Sequence, residues 1–228
     1  MTLAPPFANH GDIHDAKSAK KRLPFRLYLI TDRTACRDRS LEDTLVLACD
    51  AGVRAIQIRE KDMKAGDLAV LVSSLRQTIA SYRPVLFVND RADIARVCGL
   101  AGVHLPESGL TPQMARRCLP KNALIGCSTH SVETARRAED AGADFITFGP
   151  VFFTPSKAAY GAPQGIDRLR QTTQTVGIPV FAIGGVTAEK VPVCLAAGAW
   201  GVAVISAVLS ADDIAAAVAD FKTALGDL

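Results

Sequence analysis

The feature that most constrains the fold of this chain is an eightfold recurrence of short apolar runs. From Arg26 onward, each run is followed by a polar turn and a stretch of helical periodicity, and the unit recurs about every 25 residues. Val, Ile, Leu and Phe dominate the runs with little alternation, which is typical of parallel strands buried on both faces. The runs read RLYLITD, AIQIREK, VLFVND, AGVHLP, LIGCSTH, FITFGPV, PVFAIGG and GVAVISA.

The stretches between the runs carry signals for helix boundaries. Ser40 and Ser131 stand where a side-chain oxygen would cap a first helical turn. Gly52, Gly142 and Gly198 stand where a helix would end in the left-handed region. Eight strands, each followed by a helix, within about 200 residues predict one closed (β/α)8 TIM barrel of the α/β class. An open doubly wound sheet is the alternative, but no G-x-G-x-x-G follows a strand.

The beginning of the chain differs from the rest in composition. It contains Pro5, Pro6 and the basic run KSAKKR, and it lacks the apolar core of a secretory signal. We therefore predict a short disordered polar leader over residues 1–24 and the barrel over residues 25–228. Four basic and two acidic residues give this leader most of the net charge of +3, which leaves the barrel nearly neutral. A nearly neutral barrel excludes the broad basic surface that binds nucleic acid.

Two further features bear on where the protein works. No stretch approaches the ~18 uninterrupted apolar residues of a membrane-spanning helix, so we expect no membrane partner. The six cysteines never form Cys-x-x-Cys, and several lie within apolar runs. Such cysteines are typical of reduced thiols that act as small hydrophobic residues, and they favour a cytoplasmic location.

In a TIM barrel the functional site lies at the carboxyl ends of the strands, so the last residues of each run are the candidates for the site. The second run ends in Gln57, Arg59, Glu60 and Lys61. Because side chains alternate along a strand, positions 57, 59 and 61 share one face. Three hydrogen-bond donors on one face suit an anion with several phosphates, whereas a paired surface charge cluster is the alternative.

Metal-binding and proton-transferring side chains follow the next strands. Asn89 and Asp90 end the third run; Asp90 would either cap the following helix or hold Mg²⁺ against a diphosphate. His104 lies at the end of the fourth run, and Ser128 and His130 lie at the end of the fifth run. A histidine at a strand end can move protons near neutral pH, and a structural role is the alternative.

The last three strand ends point to a phosphate site. The long loop after the sixth run contains Thr154, Ser156 and Lys157, and its Gly- and Pro-rich part could fold over a ligand. The seventh run ends in a glycine pair that includes Gly185. The eighth ends at Ile205 and Ser206, before another helix. Glycines and helix starts in these places are typical of the phosphate site after strands seven and eight of many barrels.

Taken together and in order, these motifs resemble one family. YLITD, IQIREK, VND, GVHL, IGCSTH, GADFITFGPVFFTPSK, FAIGG and GVAVISA are similar to the successive motifs of the thiamin phosphate synthase and thiazole tautomerase superfamily. The resemblance extends from about Leu27 to Ser206 with the spacing preserved, and the leader lies outside it. Each motif alone is weak, whereas eight in register are specific.

The synthase branch of this superfamily joins an aminopyrimidine diphosphate to a thiazole phosphate and releases diphosphate. The resemblance implies phosphorylated small-molecule substrates, Mg²⁺ as cofactor and a homodimer. It assigns Arg59, Lys61 and Lys157 to the diphosphate, and Ser128 to the pyrimidine or diphosphate. It also implies further roles for the remaining residues: Asn89 and Asp90 at the pyrimidine and Mg²⁺, Gln57 in the pocket, and Thr154, Ser156, Gly185, Ile205 and Ser206 at the thiazole phosphate.

One stretch departs from the synthase pattern. Synthases carry a second Mg²⁺-binding Asp shortly after the GVHL motif, and Gly109 stands at that position here, with Glu107 nearby. The same stretch resembles the tautomerases, whose acid–base histidine matches His130. We favour the synthase because a cationic cluster and an Asp are costly to keep beside a proton shuttle that has no need of them. A tautomerase and a non-catalytic regulator that binds thiazole or thiamin phosphate are the alternatives.

Overall fold

A computed structural model describes residues 23–154 and 162–226. Within these residues, eight parallel strands pair in sequence order, and β1 also pairs with β8, which closes the barrel. The predicted (β/α)8 barrel is therefore confirmed, and the open sheet is excluded. The eight strands are β1 Leu27–Ile30, β2 Ala55–Ile58, β3 Val85–Asn89, β4 Gly102–Leu105, β5 Leu124–Thr129, β6 Phe145–Phe148, β7 Val180–Ile183 and β8 Gly201–Val204.

Helices alternate with the strands, and two consecutive helices follow β8. In the described part of the chain, no helix is long and apolar enough to cross a membrane. The helices are α1 Leu41–Asp50, α2 Ala65–Thr78, α3 Ala92–Val97, α4 Pro112–Arg116, α5 Val132–Asp140, α6 Gly165–Thr175, α7 Val191–Ala196, α8 Ser206–Leu209 and α9 Ile214–Leu225.

The predicted helix boundaries are set by local hydrogen bonds. The side chain of Ser40 accepts from the backbone N–H of Asp43 at the start of α1. Ser131 and Thr134 form a reciprocal capping box at the start of α5. Gly52 follows α1 with a φ of 114°, in the region that favours glycine. Each of these boundaries is encoded within a few residues, which is why the sequence predicts them.

The barrel interior consists of an aromatic layer below a polar layer. Phe25, Tyr28, Phe87, Phe145 and Phe181 contact one another with ring centroids 5.4–6.1 Å apart, the range of favourable aromatic pairs. Two positions further along β3 and β6, Asn89 and Thr147 point the same way and are polar. The aromatic layer therefore fills the barrel, and the polar layer faces its carboxyl end.

The amino-terminal end of the barrel is closed by the residues just before β1. Leu23 and Phe25 are both buried and belong to the interior cluster. Trp200 donates from its indole nitrogen to the carbonyl of Phe25 at 2.8 Å. The boundary between leader and barrel stays a prediction, and residues 1–22 of the leader lie outside the described residues.

Candidate active site

Closure of the barrel brings the predicted site residues to one end of the molecule. They come from the ends of six different strands, and all of these strands are parallel. Two predicted residues, Ser156 and Lys157, lie outside the described residues. The described ones at this end are Gln57, Arg59, Lys61, Asn89, Asp90, Ser128, His130, Thr154, Gly185, Ile205 and Ser206.

The three predicted hydrogen-bond donors at the end of β2 differ in how far they are exposed. Gln57 is almost fully buried, and its amide nitrogen lies 3.2 Å from the hydroxyl of Tyr28 inside the barrel. Arg59 is partly exposed, and its backbone N–H donates to Thr31 Oγ1 at 2.9 Å. Lys61 is exposed. The donor series therefore runs from the buried interior to the solvent-exposed mouth.

The carboxylate of Glu60 forms hydrogen bonds with residues that follow β1. Its carboxylate accepts from Thr31 Oγ1 at 2.6 Å, and from the backbone N–H and guanidinium of Arg33, both at 3.1 Å. Because the carboxylate is buried, these hydrogen bonds offset the cost of removing its charge from water. Glu60 thus ties the end of β1 to the end of β2, as the paired-cluster alternative predicts for this residue.

Asp90 follows β3 in a conformation that side chains rarely adopt, with a φ of 64°. Its backbone N–H donates to the carbonyl of His104 at 2.9 Å. The helix-cap alternative for Asp90 is wrong, because Arg91 occupies the N-cap position of α3. A Cβ atom placed on Gly109 would lie 2.9 Å from Asp90 Oδ1. The loop after β4 therefore brings position 109 directly against Asp90.

Ser128 lies at the boundary between the buried layer and the mouth. Its hydroxyl oxygen is 3.2 Å from His104 Nε2, and Thr147 Oγ1 is 3.4 Å from the same nitrogen. The register of the strands explains this proximity, because Ser128 pairs with Thr147 across β5 and β6. The neighbouring Cys127 is buried on the other face, and burial raises its pKa to about 12. Cys127 is therefore a packing residue, as the sequence indicates.

His130 and Glu107 join the loops after β5 and β4. Glu107 Oε2 is 2.9 Å from His130 Nδ1 and accepts from the backbone N–H of His130 at 2.8 Å. Partial burial opposes ionisation of Glu107, but hydrogen bonds from His130 and Thr134 outweigh it and lower the pKa of the carboxyl group. Glu107 is thus committed to the β5 loop and does not take the place of a metal-binding Asp at position 109.

The glycine pair after β7 is needed for close packing against the β6 loop. Gly185 has a φ of 63°, and a Cβ atom there would lie 2.3 Å from the carbonyl oxygen of Phe153. Lys190 Nζ donates to the carbonyl of Gly185 at 2.8 Å and lies 4.7 Å from the centroid of the Phe152 ring. Lys190 therefore holds the two loops together, and Ile205 and Ser206 begin α8 on the neighbouring strand end.

Three residues of this region do not follow from the motifs. Tyr28 and Thr147 lie inside strands whose polar groups are hidden among apolar neighbours, and Lys190 lies in a helical turn after the glycine pair. The period-2 alternation that places Gln57 in the interior also places Tyr28 and Thr147 there. A polar side chain at an inward position of a strand is thus the signal that identifies Tyr28 and Thr147.

The described residues contain no group of three or more His, Cys, Asp or Glu side chains placed to hold a metal ion. Mg²⁺ is commonly bound by only one or two carboxylates together with substrate phosphates, and it keeps several waters. The carboxylate of Asp90 is therefore compatible with a metal that arrives with a diphosphate.

Comparison with known proteins decides the family. The family model of thiamine monophosphate synthase matches residues 27–208, which include all eight strands. The chain belongs to the thiamine monophosphate synthase family. Its described site residues all lie within the matched range.

Named members of the family are similar over most of the chain. A putative thiamine-phosphate synthase from Geobacter sulfurreducens is 48% identical over 84% of this chain and 90% of its own length. A thiamine-phosphate synthase from Roseiflexus is 40% identical over 84% and 81%. The solved thiamine phosphate pyrophosphorylase from Pyrococcus furiosus is 33% identical, covers 88% and 95%, and superimposes with a TM-score of 0.79. These names support the synthase branch and give no support to the tautomerase or the regulator.

Proposed function

We propose that this chain is a thiamine-phosphate synthase, a transferase that joins an aminopyrimidine diphosphate to a thiazole phosphate and releases diphosphate. The observation that carries the proposal is the gathering of a cation series, Asp90 and a buried polar layer at one barrel mouth, in a chain whose named relatives are synthases. The bond that breaks joins the pyrimidine methylene carbon to the diphosphate oxygen. The bond that forms joins that carbon to the thiazole nitrogen.

The cations of β2 would stabilise the leaving group. Arg59 and Lys61 follow β2 at the mouth, where Arg59 can bind phosphate oxygens in a bidentate manner and Lys61 supplies a point charge. Charge grows on the diphosphate as the carbon–oxygen bond breaks, so cations held in place stabilise the transition state more than the bound substrate. Lys157 remains a predicted third cation. No protein nucleophile is required.

Asp90 is the residue that would hold Mg²⁺ at this site. It lies beside Asn89 at the end of β3, and the absence of a side chain at Gly109 allows the β4 loop to approach its carboxylate closely. The donor chemistry fits, since a hard cation takes carboxylate and phosphate oxygens. When bound, the ion would supply positive charge against the diphosphate.

The thiazole phosphate would occupy the neighbouring part of the mouth. Gly185 presents its turn here, and Ile205 and Ser206 begin α8 on the next strand end. Thr154 in the loop after β6 would also bind the thiazole phosphate, and Ser156 remains a predicted contact. Backbone N–H groups at glycine turns and helix starts bind phosphate well, which supports this placement.

The experiment that tests the function mixes both substrates with purified enzyme over a Mg²⁺ titration. We expect thiamin phosphate and diphosphate to form in equal amounts, measured by mass spectrometry and by a phosphate assay after pyrophosphatase, and to require the metal. Metal-independent proton exchange on the thiazole phosphate alone would instead indicate a tautomerase. Tight binding of thiazole or thiamin phosphate without turnover would indicate a regulator.

His130 gives a prediction that separates the two chemistries at one residue. We expect His130→Asn to change synthase activity by no more than about threefold, whereas loss of a general acid–base would cost about 100- to 10,000-fold. The reason is that His130 contacts Glu107 between two loops, and the coupling needs no proton from it. Rates from pH 5.5 to 8.5 measure the effect, with Glu107→Gln as the matched variant. A collapse of synthase activity in folded His130→Asn protein would contradict the proposal.

The assembly and the location of the enzyme are also proposals. The homodimer rests on the family resemblance, and light scattering after gel filtration tests it. The cytoplasmic location rests on six free cysteines, five of them buried, which fits a reducing compartment. Fractionation of cells that express the full chain tests the location.

A further inference from the structure

A chain of buried polar groups crosses the barrel below the mouth. The amide nitrogen of Gln57 lies 3.2 Å from the hydroxyl of Tyr28, and this hydroxyl lies 3.5 Å from His104 Nδ1. The other ring nitrogen, Nε2, lies 3.2 Å from Ser128 Oγ and 3.4 Å from Thr147 Oγ1. The network links two predicted substrate-binding residues, Gln57 and Ser128, through two residues that touch no solvent.

His104 is held rigidly by its surroundings. Its ring lies 5.7 Å from both the Tyr28 ring and the Phe145 ring, centroid to centroid. A Cβ atom on Gly126 would lie 2.5 Å from His104 Nδ1, so glycine at that position leaves the space that the imidazole fills. A ring enclosed on these sides keeps one orientation, and its two nitrogens keep their separate partners.

The protonation states of the two buried rings follow from burial. The His104 ring is almost fully buried, its nitrogens lie beside the hydroxyl groups of Tyr28, Ser128 and Thr147, and the nearby charge is the positive one of Arg59. A positive charge on the imidazole would therefore be buried without a partner of opposite charge. Burial raises the pKa of Tyr28 well above its usual value, and this effect exceeds that of the hydrogen bond from Gln57. Near pH 7 the imidazole is therefore neutral and carries one N–H, and the phenol keeps its hydrogen.

These two hydrogens give the network a direction. The Gln57 amide donates to Tyr28, so the Tyr28 hydroxyl hydrogen is free to donate to His104 Nδ1. The single imidazole hydrogen then lies on Nε2 and is donated to Ser128 Oγ, with Thr147 Oγ1 as the longer second acceptor. Because Ser128 Oγ accepts the hydrogen bond from His104 Nε2, the hydroxyl hydrogen of Ser128 is directed towards the mouth.

We propose that His104 is a positioning residue that makes Ser128 a hydrogen-bond donor to the substrate. Resting on the proposed function, the acceptor is a ring nitrogen of the aminopyrimidine, because a neutral ring nitrogen offers a lone pair and no hydrogen. A histidine that only fills the core would leave Ser128 free to donate or accept. The direction of the hydrogen bond to the substrate is thus set by Tyr28 on β1, on the opposite side of the barrel from Ser128 on β5.

The first test needs no substrate. Protein labelled with ¹⁵N-histidine is examined by NMR, and the His104→Gln variant identifies the His104 signals. We expect a neutral ring with its hydrogen on Nε2 throughout the range from about pH 5 to pH 8. In Tyr28→Phe, which removes the donor to Nδ1, we expect the tautomers to mix. A ring protonated on Nδ1, or one that titrates in this range, would overturn the proposal even if the enzyme is an active synthase.

The second test separates positioning from packing. We expect Ser128→Ala and His104→Leu each to raise KM for the pyrimidine diphosphate about tenfold and to leave KM for the thiazole phosphate unchanged. Their effects should not add in the double variant, since both remove one hydrogen bond. His104→Gln, whose amide can reach Ser128, should restore the wild-type KM.

A substrate analogue provides the control. In wild-type enzyme, a pyridine analogue with C–H in place of the ring nitrogen should bind about tenfold more weakly, and in His104→Leu it should bind as well as the pyrimidine. An unchanged KM in His104→Leu with only a lower unfolding midpoint would reduce His104 to a packing residue. If wild-type enzyme forms no thiamin phosphate, the proposed function fails while the NMR result still decides the network.

Discussion

Asp90→Asn enzyme is expected to fold like the wild type and to lose Mg²⁺-dependent diphosphate release, with kcat lower by about 100- to 1,000-fold. Asn tolerates the left-handed backbone at this position at least as well as Asp, so the φ of 64° brings no added strain. The substitution replaces a carboxylate oxygen with an amide and removes the negative charge. A hard cation that is held by one protein carboxylate loses most of its affinity when that charge is removed.

The measurement is diphosphate release over a Mg²⁺ titration, compared with Asp93→Asn. Asp93 lies three residues further along the chain on α3, where it forms an exposed ion pair with Arg91. The control therefore removes one nearby negative charge that is already paired with Arg91, and we expect activity close to wild type. Full activity of Asp90→Asn at every Mg²⁺ concentration would show that the ion is held elsewhere.

Gly126→Ala is expected to destabilise the protein by about 1–3 kcal/mol, because overpacking a filled core forces neighbours from their rotamers. The added Cβ would lie 2.4 Å from Phe145 Cζ and 2.5 Å from His104 Nδ1, both fully enclosed in the barrel. Moving His104 also disturbs its contact with Ser128, so we expect KM for the pyrimidine diphosphate to rise as well.

Urea unfolding followed by circular dichroism measures this effect, and Gly66→Ala is the matched control. Gly66 lies in the first turn of α2, and a Cβ atom there meets nothing within 4 Å. We expect this variant to be more stable by about 0.4–1 kcal/mol, since alanine restricts the unfolded chain more than glycine. Wild-type stability in Gly126→Ala would show that the barrel interior is looser than its geometry indicates.

The features predicted correctly from the sequence share one property. Strand runs, the caps at Ser40 and Ser131 and the glycine after α1 depend on residues within about four positions of one another. The proposed location of the site stays a prediction, which follows from the (β/α)8 pattern because that pattern implies which strand ends face the mouth. The helix-cap interpretation of Asp90 is also a local one, and the loop after β3 decides against it. Glu107 is near position 109 in the sequence, but in the structure it contacts His130.

The barrel, the order of its strands and the polar residues at their carboxyl ends can all be predicted from the sequence. Which of the polar residues contact one another is visible only in the folded barrel: Glu60 contacts Arg33, Glu107 contacts His130, and His104 contacts both Tyr28 and Ser128. Periodicity and capping are properties of neighbouring residues, so they can be read along the chain. Contacts across a closed barrel depend on the register between strands far apart in sequence, which no local pattern specifies.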